Sequence, residues 1–369
     1  MSYPLNHINT KQSIVYLIWS LLVLISPACF AQNSLKFEHL NTENGLSQSD
    51  VNTIFQDDNG FMWFGTHDGL NRYDGYNFTV FKPNPENPHS ISSNLIWKII
   101  DDDQGNLWIG TTGGGLNYFD KKTEKFKSFK NDPKNEFSIK SDYITLLFKD
   151  SNNRLWVGTT KGIDMADLSK SADSLKFEHF NLYQNSNSPT RNSNNVSTFY
   201  EDSMHQVWIG GINGLSKLSR DSNGDMYFQE VNKQINLPNT QVKSIIEDSY
   251  GHLILATSNG LYRYAPNKKE NQLQYIYKGS YNTVSINNFH IWAGTDDGLL
   301  EFSNLAENKM PELVGLYKYD PENPTNSLSK NAVKSLHIDH TGIVWVGVNG
   351  GGINKLDPQR KQFSHIKKI

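Results

Sequence analysis

The stretch Leu107-Trp108-Ile109-Gly110-Thr111-Thr112-Gly113-Gly114-Gly115-Leu116 decides the reading of this chain, because the sequence writes it seven times. Its variants are Met62-Trp63-Phe64-Gly65-Thr66 with Gly69-Leu70, Leu155-Trp156-Val157-Gly158-Thr159 with Gly162-Ile163, and Val207-Trp208-Ile209-Gly210 with Gly214-Leu215. Leu253-Ile254-Leu255-Ala256-Thr257, Ile291-Trp292-Ala293-Gly294-Thr295 and Val344-Trp345-Val346-Gly347 complete the set, and the copies start 45, 48, 52, 46, 38 and 53 residues apart. A near-constant period of this size marks a repeat architecture, in which each unit buries its apolar face only by stacking on its neighbours.

Counting back from each Trp, or from Ile254 in the fifth copy, exposes the rest of the unit. Twelve residues earlier stand Val51, Ile96, Ile144, Val196, Val242 and Val333, and nine earlier stand Ile54, Ile99, Leu147, Phe199, Ile245 and Leu336, which makes one inward-facing strand. Six earlier is Asp (57, 102, 150, 202, 248, 339), and three earlier is Gly60, Gly105, Asn153, His205, Gly251 or Gly342. That spacing spells a hairpin turn, in which the Asp side chain caps the turn and the later residue takes positive φ. Six residues after the Trp, Gly69, Gly114, Gly162, Gly214, Gly260, Gly298 and Gly351 supply a second tight turn, and two further strands follow. The fold class is therefore all-β: a seven-bladed β-propeller of four-stranded antiparallel blades. The sixth copy lacks the Asp and Gly turn between Ser285 and His290, so a shortened first hairpin is expected there.

Candidate fourth strands number eight: Phe37 to Leu40, Phe78 to Phe81, Phe126 to Phe129, Phe177 to Phe180, Tyr227 to Val231, Tyr275 to Lys278, Leu316 to Tyr319 and Phe363 to Ile366. Seven blades need seven. The expectation is that Leu35 to Leu40 latches the last blade and that residues 361–369 begin a second propeller. The propeller domain then runs over residues 32–360.

Composition sets the outer limits. A formal charge of -3 and 20% charged residues give no footprint for nucleic acid, and 12% aromatic residues suit strands. Lys11, the apolar run Ile14 to Ile25 and the small-residue segment Ala28-Cys29-Phe30-Ala31 form a secretory signal over residues 1–31, cut after Ala31. The alternative is a membrane anchor, although the run is short of the roughly 20 residues needed to span a bilayer. A lipidated Cys29 is a further alternative, disfavoured by Ser26. Cys29 is the only cysteine, so the mature chain would hold no disulfide and no thiolate site.

The run Phe37-Glu38-His39-Leu40, Asn44-Gly45-Leu46-Ser47, Asp57-Asp58-Asn59-Gly60-Phe61-Met62-Trp63-Phe64-Gly65-Thr66 and Gly69-Leu70-Asn71-Arg72-Tyr73-Asp74-Gly75 resembles a known family. It is similar to the two-component regulator propeller repeat, found in periplasmic sensor regions of hybrid histidine kinases of Bacteroidetes-type bacteria, and the resemblance covers residues 35 to 369. It implies a sensing role, with oligosaccharides from polysaccharide breakdown as the usual ligands. It also implies a second propeller, a β-sandwich, a membrane helix, a kinase, a receiver and a DNA-binding domain beyond this segment, with any homodimer formed through those parts. No kinase nucleotide motif occurs in the 369 residues.

The residues suggest no catalytic or cofactor site. Asp101-Asp102-Asp103-Gln104-Gly105 imitates a calcium loop without its closing Glu, and Gly113-Gly114-Gly115 lacks the Gly-Lys-Ser/Thr of a phosphate loop, so both read as turns. No metal ligands and no nucleophile motif are spaced as such chemistry requires. Chain direction puts the turn after each Trp strand on the same face as the long connections Pro83 to Asn94, Asn131 to Asp142, Tyr183 to Asn195 and Asp320 to Asn331. Loops on a rigid scaffold are where binding resides. The candidate ligand-binding residues on this face are His67, Asp68, Trp97, Tyr143, Lys161, Arg191, Asn213, Asn259, Asp296 and Asn349. The function expected is non-catalytic periplasmic sensing; the rivals are a propeller enzyme such as a polysaccharide lyase, and a protein-binding scaffold.

Overall fold

The computed structural model describes residues 35–180, 196–267, 273–287, 290–303 and 309–358. The chain divides into two units, Met1–Leu35 and Lys36–Ile369, and the described strands all lie in the second. The expected signal segment 1–31, Arg191 and Phe363 to Ile366 fall outside the described residues.

Seven four-stranded antiparallel sheets are present. Blade 1 is Val51–Gln56, Met62–Thr66, Gly69–Tyr73 and Phe78–Phe81, paired in that order, and the five blades that follow repeat the plan. Each first strand packs on the first strand of the next blade, and Val51–Gln56 packs on Val333–Ile338 of blade 7, so the ring closes. The latch is chemical as well: Phe37–Leu40 pairs antiparallel with Gly352–Leu356 and supplies the fourth strand of blade 7. Ser335 Oγ donates to the Val51 carbonyl across the same seam, at 2.9 Å.

The Trp motif now has a physical account. Trp63, Trp108, Trp156 and Trp292 are fully buried between blades. In four blades the indole N–H is satisfied by the Asp six residues earlier: Trp63 on Asp57 and Trp156 on Asp150 at 2.8 Å, Trp208 on Asp202 at 2.7 Å, and Trp345 on Asp339 at 2.8 Å. The other oxygen of the same carboxylate accepts backbone N–H groups of the turn, as Asp57 Oδ1 does from Asn59 and Phe61. One Asp thus caps the hairpin and anchors the Trp. In blade 5, which has Ile254 in place of Trp, Asp248 Oδ2 instead receives Arg263 Nε at 2.9 Å.

The Gly two residues after the Trp lets the next blade approach. A Cβ on Gly110 would stand 2.7 Å from Ile144 Cγ2 of blade 3, and one on Gly294 would stand 2.4 Å from Val333 Cγ1 of blade 7. Blade spacing is therefore set by backbone against side chain, as in a close-packed interior.

Two expectations need correction. Gly114 and Gly351 are not the turn glycines of blades 2 and 7: the turn is one residue longer there, and Gly115 (φ 76°) and Gly352 (φ 73°) take the left-handed conformation instead. A Cβ on Gly115 would collide with the Phe129 carbonyl at 2.2 Å, so no side chain fits. The fourth strand of blade 6 is Leu313–Tyr317 rather than Leu316 to Tyr319, because Tyr319 leaves the sheet to bridge to Leu328. The hairpin of blade 6 is short, as expected, with Ile286 opposite Ile291 where blade 1 has Gln56 opposite Met62.

Candidate functional site at the channel mouth

The first strands line a central cavity of about 660 Å³. Every first strand carries a bulge after its first residue: Val51 faces Thr66 and Thr53 faces Gly65, Ile96 faces Thr111 and Lys98 faces Gly110, and the same shift recurs in all seven blades. A bulged residue leaves the ladder, and its side chain is re-aimed. The seven bulged residues, Asn52, Trp97, Thr145, Ser197, Lys243, Asn282 and Lys334, all line the cavity. Identical backbone geometry therefore presents seven side chains, mostly unlike one another, in one ring.

Hydrogen bonds brace parts of this ring. Asn52 Nδ2 donates to the Ile96 carbonyl of blade 2 at 2.9 Å, and Asn282 Nδ2 donates to the Val333 carbonyl of blade 7 at 3.1 Å. Gln241 Nε2 donates to Ser197 Oγ at 2.9 Å, and Lys243 Nζ donates to Asn282 Oδ1 at 3.0 Å. Asp296 collects Asn282 Nδ2 at 2.8 Å and Lys334 Nζ at 3.3 Å, and these donors hold its carboxyl below the usual range, Asn282 most strongly. Lys98, one residue deeper, makes no hydrogen bond or ion pair among the described residues, and its burial pulls its ammonium below the ordinary lysine range.

The connections between blades are held rigidly over the same face. The buried Asn71 accepts Ser47 N at 2.9 Å, Asn117 accepts Ser92 N at 3.0 Å and Asn354 accepts Ser329 N at 2.7 Å, so the third strand pins each connection where it enters the first strand. In blade 1 the turn after the Trp strand is tied to the following connection by Gly69 N on the Asn94 carbonyl at 2.7 Å.

The residues singled out from sequence fall at different depths. Trp97 stands in the ring with 42% of its surface exposed. Asp296 sits at the rim and belongs to the Asn282–Lys334 cluster. His67 Nδ1 lies 3.6 Å from Asp50 Oδ2, and Asp50 Oδ1 accepts Gly350 N at 2.6 Å, which brings His67 near the turn that holds Asn349. Asp68 is tied to Lys82 at 2.5 Å and Asn94 at 3.2 Å, which lowers its pKa through the Lys82 hydrogen bond first. Tyr143 and Lys161 are exposed beside blade 3. Asn259 spends its side-chain oxygen on Thr257 and Tyr262. The Asn213 carbonyl accepts Asn232 Nδ2 at 2.6 Å, while its own Nδ2 is buried without a partner.

Six of the seven ring residues escaped the sequence reading, which weighed Trp97 and Asp296 but not Asn52, Thr145, Ser197, Lys243, Asn282 or Lys334. A signal existed: in six blades the ring residue lies eleven positions before the Trp or its substitute Ile254, one step after the conserved-looking apolar position, and five of those six are polar or charged. Reading it required knowing that the strand bulges there. The arrangement offers hydrogen-bond donors and acceptors, cations and one aromatic face. Among the described residues, no group of three or more His, Cys, Asp or Glu is placed to hold a metal.

Comparison with known proteins agrees with the blade plan. The family model described as "Two component regulator propeller" matches residues 45–68, 90–113 and 138–161. A 63-residue stretch is 49% identical to the protein named histidine kinase P4 of Formosa agariphila, covering 17% of this chain and 5% of that one. The extracellular domain of a putative hybrid two component system from B. thetaiotaomicron superposes with a TM-score of 0.71 at 26% identity, over 87% of this chain and 42% of that one. Virginiamycin B lyase from Staphylococcus aureus superposes with a TM-score of 0.60 at 14% identity, over 87% and 99%, a likeness of fold alone. The chain thus spans less than half the length of the extracellular domain it resembles. Among the described residues, no helix is long and apolar enough to cross a membrane. The three matched segments are similar to the two component regulator propeller repeat, and the seven-bladed ring agrees with that likeness.

Proposed function

We propose that this propeller is the non-catalytic, ligand-sensing part of a two-component signalling system, exported by its N-terminal segment and working in the periplasm or outside the cell. The ligand is an oligosaccharide received on the loop face at the channel mouth. The observation that carries the reading is the ring of seven bulged residues: one scaffold geometry, repeated blade by blade, presents five kinds of side chain at seven positions. Rigid framework with variable display is how specificity is built on a common fold. Likeness to the extracellular domain of a putative hybrid two component system, across 87% of the chain, supports the sensing role.

Signalling then follows from a population shift. Ligand at the channel mouth favours one arrangement of the sensor relative to the parts attached to it, by as much as its affinity differs between the two arrangements. Kinase and further sensor domains, and any dimer, belong to a longer protein in this reading.

The test is a panel of purified glycans against the purified chain, following melting temperature and product release together. A cognate glycan at about 100 times its Kd should raise the melting temperature by roughly 4 °C with no turnover. Release of a cleaved product would overturn the sensing reading in favour of an enzyme.

A further inference from the structure

The cavity lining is electrostatically one-sided. Three lysines, Lys98, Lys243 and Lys334, reach it from blades 2, 5 and 7, and none of its lining residues is an Asp or Glu. The chain as a whole is acidic, so this is a local concentration of positive charge. At the rim, Asp296 lies 3.3 Å from Lys334 Nζ, and it also acts at longer range on Lys243. Among the described residues, Lys98 has no such partner. At the third residue of the first strand the other blades carry Thr53, Leu146, Thr198, Ser244, Thr283 and Ser335, so Lys98 is the single charged side chain at that depth.

Burying an unpaired ammonium is costly, and a cavity walled by protein focuses its field. At the opposite face the first strands end in Asp101, Lys149, Glu201 and Glu247, so charges of both signs stand there, whereas the cavity lining carries lysines only.

We infer that the channel mouth is a binding site for an organic oxyanion, a carboxylate or sulfate carried on a body of about disaccharide size, paired with Lys98 and steered by Lys243 and Lys334. The volume suits such a ligand, and Trp97, partly exposed, lines the same cavity to take its apolar side. The inference gives a ligand class to the sensing reading and rests on it for its biological meaning, though the site itself does not depend on signalling.

Trp97 is the exposed tryptophan among the described residues, so its fluorescence reports on this site, with Trp97→Phe as the background. Relative to free N-acetyltryptophanamide, iodide should quench Trp97 several-fold more efficiently than caesium does, and Lys98→Met combined with Lys334→Gln should bring the iodide-to-caesium ratio back to that of the free indole. Digalacturonate should bind in calorimetry while neutral digalactose does not, and Lys98→Met should weaken that binding about tenfold or more. A monosulfated disaccharide serves as the second arm: tighter binding of either compound identifies the oxyanion and supports the site. Lys98→Met should keep or raise the melting temperature, since an unpaired charge is removed, and that confirms that lost binding is not lost folding. An iodide-to-caesium ratio equal to that of the free indole, or equal affinity for digalacturonate and digalactose, overturns the anion site. A neutral glycan that stabilises the chain without any anion preference would do the same while leaving the sensing reading intact, whereas glycan turnover would overturn that reading and leave the quenching result standing.

Discussion

In blade 1 the indole N–H of Trp63 donates to Asp57 Oδ2 at 2.8 Å, with both side chains buried, while in blade 2 the indole N–H of Trp108 is buried with no partner. The Asp of blade 2 is in place, but Asp102 Oδ2 accepts Asn106 Nδ2 at 3.0 Å and the Tyr118 hydroxyl at 3.3 Å instead. The two blades form a natural pair for weighing one hydrogen bond, since the sequence spacing and the burial of the Trp are the same, although Asp57 is buried and Asp102 half-buried.

Trp63→Phe should therefore cost more stability than Trp108→Phe, by about 1 kcal/mol, because the first removes a bond to a buried carboxylate oxygen, which keeps only Lys121 Nζ at 3.1 Å, and the second removes an unsatisfied donor. Guanidinium unfolding of the two variants measures the difference. Equal losses would mean that the indole bond contributes nothing beyond packing.

Gly110→Ala should destabilise by about 1–3 kcal/mol, because its Cβ would stand 2.7 Å from Ile144 Cγ2 across the blade seam. Ile144→Ala removes that methyl group and opens a cavity, so each single change is unfavourable. The double variant should be more stable than the sum of the two losses. Thermal melts of the full cycle give the coupling, and simple additivity would show that the seam does not limit blade approach.

His337 supplies a pH dependence. Its Nε2 is buried without a partner, and burial pushes its pKa down from 6.5 to about 4, with Asp339 opposing and His340 and Lys98 adding to the shift. The unfolded chain takes up the proton near pH 6.5 and the folded chain only near pH 4, so stability is lost as pH falls through that window. The loss should reach roughly 2 kcal/mol at pH 5. His337→Phe, which copies Phe55 and Phe148 at the same strand position, should flatten the profile between pH 7 and 5. A profile unchanged by this substitution would place the acid sensitivity elsewhere.

Asp101 lies at the blade 1–2 seam, and burial first, then Asp103 and Asp58, raise its pKa. A raised acid pKa means that the ionised form is disfavoured in the folded state above that pKa. Asp101→Asn should stabilise the protein at pH 7 by about 0.5 kcal/mol or less, as expected for a partly exposed charge, and the gain should vanish once the wild-type carboxyl is protonated below about pH 4. Melting temperatures at pH 7 and pH 3.5 make the comparison.

The blade was legible because its determinants are local. Asp57 and Trp63 are six residues apart, and Asp57 to Gly60 is a single turn, so spacing alone exposes the hairpin. The pairing of Phe37–Leu40 with blade 7 was legible too, by counting strands against blades. What that count left unstated is that the Asp anchors the Trp, since an indole bond depends on where two side chains point.

The sequence by itself determined the number of blades, the turns that divide them and the acidic, cysteine-poor character of the propeller, because these depend on period, turn chemistry and composition. Tertiary structure decided what faces the channel. A one-residue bulge reverses which side chains point inward, and it is defined only by the register between two strands. Asn52, Trp97, Lys243 and Lys334 are scattered over 282 residues of sequence and meet only because the ring closes. Closure also leaves Lys98 without a counter-charge among the described residues, and that property of the assembled ring, absent from any single repeat, is what the inferred preference for an anion rests on.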